Sequence, residues 1–369
     1  MENNRRNWLK KIGLGFAGLS LGQLDTFANT NTIIDDINLE SNDSRILLRS
    51  NENPYGPSPL ARIAMKESVN ISNRYGWALT PELIKVISKQ NNVTNKNILL
   101  GAGSTEILDL VLRFTALKKG SFILPETSYS YWTYPAKQLG LNKVTIPLTK
   151  NKKLNLTAML KAIKPDTKMV YICNPNNPTG TICERDELIS FIKEASKKVI
   201  VLVDEAYIEF TNQQSLSDLV IENKNLIIAK TFSKMYGLAG GRIGYAVAKE
   251  STINEISQLQ SWPNGSLSVV STAGALASLK DESFKKEVYT KNEKVKKYTI
   301  ESLKLLNIKC IPSNTNFIYF SLSDYKKDFF KQLEKHNIVG TKIYEENGKW
   351  SRITIGTMKE MKQFINAIK

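Results

Sequence analysis

Histidine and cysteine are nearly absent from this chain. Its 369 residues include one histidine, His336, and three cysteines, Cys173, Cys183 and Cys310. His336 falls between a helical and a strand-like segment and reads as a solvent-facing residue, so a histidine-based triad is not expected. The cysteines are odd in number and lack ligand spacing, which argues against both a disulfide scaffold and a zinc site; no metal is expected. Beyond the first 30 residues no apolar run is long enough to span a bilayer, so stable membrane insertion is not expected either. Acidic residues are the scarcer charge, 35 against 51 Lys+Arg, a net +16. Clustered cations would suggest a phosphate backbone as partner. Here they are dispersed among acids, as in Lys285-Lys286-Glu287 and Lys326-Lys327-Asp328, which reads as a solvated surface. No nucleic-acid partner is expected. The chain has no internal repeat or low-complexity tract, and a hydrophobic content of 41% with 23% charged residues is that of an ordinary globular protein.

The first 28 residues have a different character. A basic run, Arg5-Arg6-Asn7-Trp8-Leu9-Lys10-Lys11, precedes a short Gly/Leu-rich apolar stretch from Ile12 to Gly22, and Thr26-Phe27-Ala28 offers small residues at the cleavage-determining places. This is the anatomy of a signal peptide. The Arg5-Arg6 run resembles a bacterial twin-arginine export signal, which implies a periplasmic destination; a cytoplasmic tail with a chance arginine pair is the alternative. Cleavage would remove Arg5, Arg6, Lys10 and Lys11 along with Glu2 and Asp25, so the basic balance is not an artefact of the leader.

Downstream, short apolar runs alternate with helical patterns. Ile98–Leu100, Phe122–Leu124, Val144–Ile146, Met169–Ile172, Val199–Val203 and Leu226–Ala229 read as strands. Helical stretches follow at 104–117, 156–163 and 184–195. Apolar strands alternating with helices predict an α/β fold with a mainly parallel sheet covered on both faces. A long charged helical region is expected near 266–306. Beyond it lie strand-like 316–321, helix-like 324–336, strands at 338–344 and 352–355 and a last helix, together a smaller α+β domain.

Five segments carry chemistry. Thr231-Phe232-Ser233-Lys234 follows a strand and leads into a glycine-rich stretch and Arg242. A lysine at a strand end in a partly enclosed site can lose its ammonium proton and act as an imine-forming nucleophile. Asp204 ends another strand, at the edge where open α/β sheets bind ligands. A carboxylate there suits pyridoxal 5′-phosphate (PLP), whose ring nitrogen must stay protonated to accept electrons. Tyr207 and Asn177 are placed to hydrogen-bond the ring oxygen. Gly101-Ala102-Gly103-Ser104-Thr105 joins a strand to a helix start, where free N–H groups attract an anion; Ser233 and Arg242 could complete a phosphate grip. Tyr129 is a candidate to stack on the ring, with Tyr131, Trp132 and Tyr134 as nearby alternatives.

Taken in order, Asn51-Glu52-Asn53-Pro54-Tyr55-Gly56, Asn73-Arg74-Tyr75, the glycine-rich turn, Asn177-Pro178-Thr179-Gly180, Asp204-Glu205-Ala206-Tyr207, Ser233-Lys234 with Arg242, and Ser351-Arg352-Ile353-Thr354-Ile355-Gly356 resemble the class I/II PLP-dependent aminotransferases of fold type I, in particular the histidinol-phosphate aminotransferase-like group. The resemblance implies a homodimer acting on an amino acid, or an amino-acid-like phosphate ester, and a 2-oxo acid. It implies Lys234 as the cofactor-bearing lysine and proton shuttle, with Asp204 and Tyr207 catalytic. Ser104, Thr105, Tyr129, Asn177, Thr231, Ser233 and Arg242 would hold the cofactor, joined by Tyr75 reaching across the dimer to the neighbour's phosphate. Arg352 would clamp the substrate carboxylate, with Asn53 and Tyr55 on the substrate side. The implied organisation is a leader (1–28), an arm and part of a small domain (29–75), a large cofactor-binding domain (76–285) and a small C-terminal domain (286–369). A decarboxylase, lyase or racemase on the same scaffold and a non-catalytic PLP-binding regulator are the alternatives. Two departures stand out. Gly76-Trp77 replaces the usual proline and acidic residue, and Val339-Gly340-Thr341-Lys342-Ile343 lacks the usual second arginine. Lys342 could substitute as a point charge or could face outward.

Overall fold

The computed structural model describes residues 45–345 and 349–369; the leader lies outside them. The strands in chain order are β1 (Ile46–Leu47), β2 (Ile98–Gly101), β3 (Gly120–Pro125), β4 (Leu141–Ile146), β5 (Thr167–Cys173), β6 (Ile200–Asp204), β7 (Leu226–Thr231), β8 (Gly244–Ala248), β9 (Phe317–Ser321), β10 (Ile338–Val339), β11 (Ile343–Tyr344) and β12 (Trp350–Thr354). Seven form one sheet in the order β2-β8-β7-β6-β5-β3-β4. All its strands run parallel except β8, which is antiparallel to both neighbours.

Alternation along these strands explains why the sheet is covered on both faces. Val170 and Ile172 of β5, Val201 and Val203 of β6, and Leu226 and Ile228 of β7 pack into one core with Leu83, Leu188 and Leu279. The intervening Met169, Tyr171, Leu202, Ile227 and Ala229 pack into a second core with Ile107, Val111 and Ile256. Successive side chains point to opposite faces, so an uninterrupted apolar strand must be buried twice. The helices that cover the first face are Leu79–Gln90, Arg185–Ala195 and Val269–Lys280; Ser104–Ala116 and Glu250–Ser257 cover the second.

A second assembly comprises the sheet β11-β12-β9 and the helix Met358–Ile368, with a core containing Leu48, Ile318, Phe320, Ile353, Phe364 and Ile365. β1 joins it by pairing in parallel with β10, so chain from the N-terminal side is tied to the C-terminal elements.

Three elements expected from the sequence take a different form in the structure. The single helical region near 266–306 is two helices, Val269–Lys280 and Glu282–Leu305. They part at Asp281, whose carboxylate accepts the Phe284 N–H at 3.2 Å and caps the second helix. The expected strand 338–344 divides into β10 and β11, which belong to different sheets. The expected helix 324–336 is confined to Phe329–Lys335, begun by Asp328, which accepts the Lys331 N–H at 3.1 Å. His336 is exposed at its end, with Nδ1 2.9 Å from the Gln332 carbonyl. No helix among the described residues is long and apolar enough to cross a membrane.

Candidate active site

A cavity of about 1270 Å³ opens at the carboxyl ends of β2, β3, β5, β6 and β7, and the C-terminal sheet supplies its other wall. Parallel strands all deliver their following loops to one edge, which is why residues as distant as 104, 177, 204 and 234 meet there.

At its floor Asp204 is 2% exposed. Its two oxygens accept the Tyr171 hydroxyl at 3.0 Å and the Ala206 N–H at 3.1 Å, which fixes the carboxyl plane. Burial pushes its pKa up to about 6; the two hydrogen bonds and the charge of Lys234 oppose that rise, while Glu205 adds to it. Tyr207, also buried, accepts the Asn51 amide at 3.0 Å and the Asn177 amide at 3.3 Å. Burial raises the Tyr207 pKa, so the hydroxyl keeps its proton and can donate it. Lys234 donates from Nζ to the Ser50 carbonyl at 2.9 Å. Burial, then the charge of Arg352, lowers its pKa to about 8 against the pull of Glu52 and Asp204.

An anion cradle lies beside these groups. Gly103 has φ +82°, and a Cβ there would come within 2.4 Å of Arg242 Nη2. The helix it opens has no side-chain cap, so its first N–H groups at Ser104 and Thr105 face the cavity unpaired by a capping side chain. Arg242 itself has φ +48°, a costly conformation for a side chain with a Cβ. It carries the guanidinium to the Ala239 carbonyl (3.0 Å), the Ala102 carbonyl (3.4 Å) and Ser233 Oγ (3.5 Å). Thr231 Oγ1 donates to Ser233 Oγ at 3.0 Å and accepts the Ser233 N–H.

On the opposite wall Arg352 is 6% exposed. Its Nη1 donates to Asn177 Oδ1 at 2.5 Å, its Nη2 donates to the Arg49 carbonyl, and its buried Nε has no partner. The Phe317 ring lies 5.3 Å from its Cζ. A buried guanidinium with an orphan N–H is poised for an anion.

Of the aromatic alternatives, Tyr129, Tyr131 and Tyr134 line the cavity, and Tyr129 reaches Thr105 Oγ1 at 3.3 Å. Trp132 turns away, 4.9 Å from Tyr171 in the core. Lys342 faces the cavity mouth. Three expected residues do not line the cavity of this single chain. Asn53 ties its loop to the segment that follows Lys234, donating to the Met235 carbonyl at 2.8 Å, and accepts the local Tyr55 N–H at 3.0 Å. Tyr55 packs beneath Lys291 Nζ, 4.8 Å from its ring centre. Tyr75 is 67% exposed, edge-on to Trp262 at 5.0 Å. Conversely, Asn51 and Arg49 line the cavity and were not singled out by the sequence. Asn51 opens the Asn51–Gly56 motif, a usable signal; Arg49 belongs to none of the motifs. Among the described residues no group of three or more His, Cys, Asp or Glu side chains could hold a metal ion.

The sequence model of the family described as Aminotransferase class I and II matches residues 43–368. A histidinol-phosphate aminotransferase of Moorella thermoacetica is 32% identical over 88% of this chain and 84% of its own length. One of Caldicellulosiruptor saccharolyticus is 34% identical over 88% and 91%. The crystal structure of histidinol-phosphate aminotransferase from Sinorhizobium meliloti in complex with pyridoxal-5′-phosphate superposes with a TM-score of 0.81 at 22% identity, covering 94% of this chain and 98% of that one.

Proposed function

The chain belongs to the class I and II aminotransferases and is a PLP-dependent transaminase of fold type I, and from that premise we propose that Lys234, Asp204 and Arg352 divide its work among proton transfer, cofactor activation and substrate anchoring. The observation that carries this reading is their convergence, from three distant segments, on one cavity together with Tyr207 and Asn177.

The cavity fits PLP. The glycine at position 103 leaves room that a Cβ would take from Arg242, so an anion can reach the helix start, Ser233 and Arg242 together. A buried carboxylate lies on the floor and two ring-oxygen donors, Tyr207 and Asn177, at the side. When bound, PLP supplies the electron sink that makes the substrate Cα–H acidic. Asp204 would keep the ring nitrogen protonated by its charge. Lys234 Nζ, with its lowered pKa, would take the proton from the substrate Cα and hold it for return. Asn177 performs two tasks at once, since its amide nitrogen orients Tyr207 and its oxygen orients Arg352.

Arg352 meets the substrate's α-carboxylate, or the phosphate of an amino-acid-like ester, with the N–H groups its protein partners leave free. The test is a panel of amino acids added to the PLP-loaded protein, read by pyridoxamine phosphate absorbance. At least one should convert the cofactor, and the 2-oxo acid should restore it; release of CO2 or racemisation without that conversion would overturn the reading. Arg352→Ala should lower kcat/KM for the converted amino acid roughly 30-fold or more, because truncating one partner of a buried charged pair costs about 2–5 kcal/mol. A simple amine lacking the carboxylate should be nearly unaffected.

The leader supports export. Arg5→Lys with Arg6→Lys should retain the protein in the cytoplasm, whereas the natural sequence should reach the periplasm and lose residues 1–28. Recovery of both in the cytoplasm with the leader attached would refute this. The exposed cluster of Tyr75, Trp77 and Trp262, mutually within 5.7 Å, supports a homodimer in which a second copy covers it; the mass of one protomer in sedimentation equilibrium would exclude it.

A further inference from the structure

The wall that carries Arg352 is tied to the large sheet by a second contact, outside the reacting groups. Beyond β4, residues 149–153 close a tight turn. The Lys152 N–H donates to the Thr149 carbonyl and the Thr149 N–H to the Lys153 carbonyl, each at 2.9 Å. Lys152 takes φ +60° in that turn, a costly conformation for a residue with a Cβ. Its carbonyl accepts the Thr181 hydroxyl at 2.9 Å. Thr181 Oγ1 lies 2.8 Å from Thr179 Oγ1, which accepts the Asn176 amide at 2.9 Å. The Lys152 backbone is thus bound to the loop that presents Asn177.

The Lys152 side chain goes to the opposite wall. Its Nζ lies 2.8 and 2.6 Å from the two Glu345 oxygens and 4.8 Å from the centre of the Trp350 ring. Glu345 Oε1 also accepts the Tyr319 hydroxyl at 2.8 Å, and the Tyr319 and Trp350 rings stack at 5.1 Å. In the antiparallel register of β9 and β12, Tyr319 stands directly opposite Arg352, and Trp350 precedes Arg352 by two. All three side chains therefore share one face of the small sheet. Tyr344, immediately before Glu345, lays its ring 5.8 Å from Arg352 Cζ.

Two features set this pair apart from the surface ion pairs. Its side chains are only 19% and 17% exposed, so solvent and salt screen it little. Glu345, like Lys152, has a left-handed backbone, with φ +67°. Asparagines and glycines aside, Lys152, Glu345 and Arg242 are the residues with positive φ among those described. Arg242 serves the anion cradle, and the other two meet each other. Such conformations persist where the surroundings over-determine them.

We propose that Lys152 and Glu345 are positioning residues, whose ion pair latches the sheet β11-β12-β9 to the Asn177 loop and so holds the Arg352 guanidinium in its carboxylate-gripping pose. This rests on the reading of Arg352 as the substrate anchor and adds the pair that places it. The direct contact from Arg352 Nη1 to Asn177 Oδ1, at 2.5 Å, fixes one point between strand and loop. The latch fixes a second point on the same face, so the strand cannot pivot about the first. With the pair broken, Tyr344 and Arg352 lose that restraint. The loss falls on carboxylate binding and spares proton transfer at Lys234.

The test uses the PLP-loaded protein, the amino acid that converts its cofactor, and the amine that lacks only the carboxylate. Lys152→Met keeps an apolar stem on Trp350, and Glu345→Gln keeps an acceptor for Tyr319. Each should raise KM for the amino acid about tenfold, the effect of losing a charge-assisted contact, with kcat within about threefold. The amine and the retention of PLP should not change. The double variant Lys152→Met with Glu345→Gln should lose no more than either single one, because the two side chains make one contact. Additive losses, a loss in kcat alone, or equal losses for amine and amino acid overturn the latch. Calorimetric binding of butyrate, a carboxylate that cannot react, keeps this independent of turnover. Butyrate affinity about tenfold weaker in Lys152→Met, but unaffected by the same change in the Arg352→Ala background, supports the latch. That holds even if no amino acid is converted, in which case only the aminotransferase reading falls. Unchanged butyrate affinity, or the same loss in the Arg352→Ala background, overturns the latch itself. Thermal melts verify folding, and Glu345→Gln, which conserves volume, carries the test should Lys152→Met melt early.

Discussion

Replacing Lys234 with alanine is expected to lower transamination of every amino acid by roughly 10⁴-fold or more. Two losses combine. A positioned general acid–base contributes on the order of 10²–10⁴-fold, and the covalent anchorage of the cofactor disappears with the same nitrogen. The geometry makes no substitute available. Lys230, four residues earlier and within β7, lies buried 3.5 Å from Glu205; burial opposes its charge, but Tyr245, Glu205 and Glu209 around it hold it protonated. Lys342 stands at the mouth, between two tyrosine rings. Borohydride reduction followed by peptide mapping should find the PLP adduct on Lys234 in the natural protein and nowhere in the variant; an adduct on another lysine would sink the assignment. The pKa near 8 adds a pH signature. Only the neutral amine is nucleophilic, and about a tenth of it is neutral at pH 7, where an unperturbed lysine would have less than about a thousandth. Attachment of PLP to the cofactor-free protein should therefore accelerate as pH rises through about 8 and level off above it.

The cofactor-facing half of the site was legible because each of its residues ends an apolar strand. Asp204, Ser233-Lys234 and the Gly103-Ser104 turn are punctuation after runs whose burial on both faces the sequence already implies. The substrate-facing half was less so. Asn177 and Arg352 touch across 175 positions, and no periodicity connects them. The resemblance of the ordered motifs gave each of them a separate role, and their contact appears only in the structure. The direction of Lys342 depends on its register against β12, a tertiary fact that alternation within 338–344 could not supply, particularly as Gly340 interrupts that stretch and sends its halves to different sheets. β8 was missed for a related reason. Gly244–Ala248 follows the glycine-rich segment that carries Arg242, and nothing local marks it as an antiparallel strand inserted between β2 and β7. Gly244 itself explains why the insertion is possible, since a Cβ there would come within 2.5 Å of the Ser104 nitrogen. The packing of β8 against the anion cradle thus needs a residue without a side chain.

Asp204→Ala should reduce kcat by about 10²–10³-fold, the range seen when a preorganised electrostatic partner of the reacting system is removed. The carboxylate matters through its charge, because a protonated ring nitrogen draws electrons from the substrate Cα far better than a neutral one. Asp204→Asn separates charge from shape. It fills the same volume and can still accept the Tyr171 hydroxyl, although its amide cannot accept the Ala206 N–H as the carboxylate does. If charge is the reason for the residue, the Asn and Ala variants should lose turnover to a similar degree; an Asn variant within tenfold of the natural protein would show that Asp204 serves packing alone. Retention of PLP provides the independent reading. Burial holds the Asp204 carboxyl at about 6, above the ordinary aspartate value. The cationic ring favours the ionised form and so lowers that value in the complex. Affinity for PLP should therefore be full above about pH 6 and weaken as pH falls below it, down to the lower pKa of the complex. PLP release measured by absorbance after gel filtration between pH 5 and 8 should show this decline in the natural protein. The Asn variant, with no proton to gain at that position, should hold PLP more weakly throughout and lose the part of the slope that Asp204 contributes.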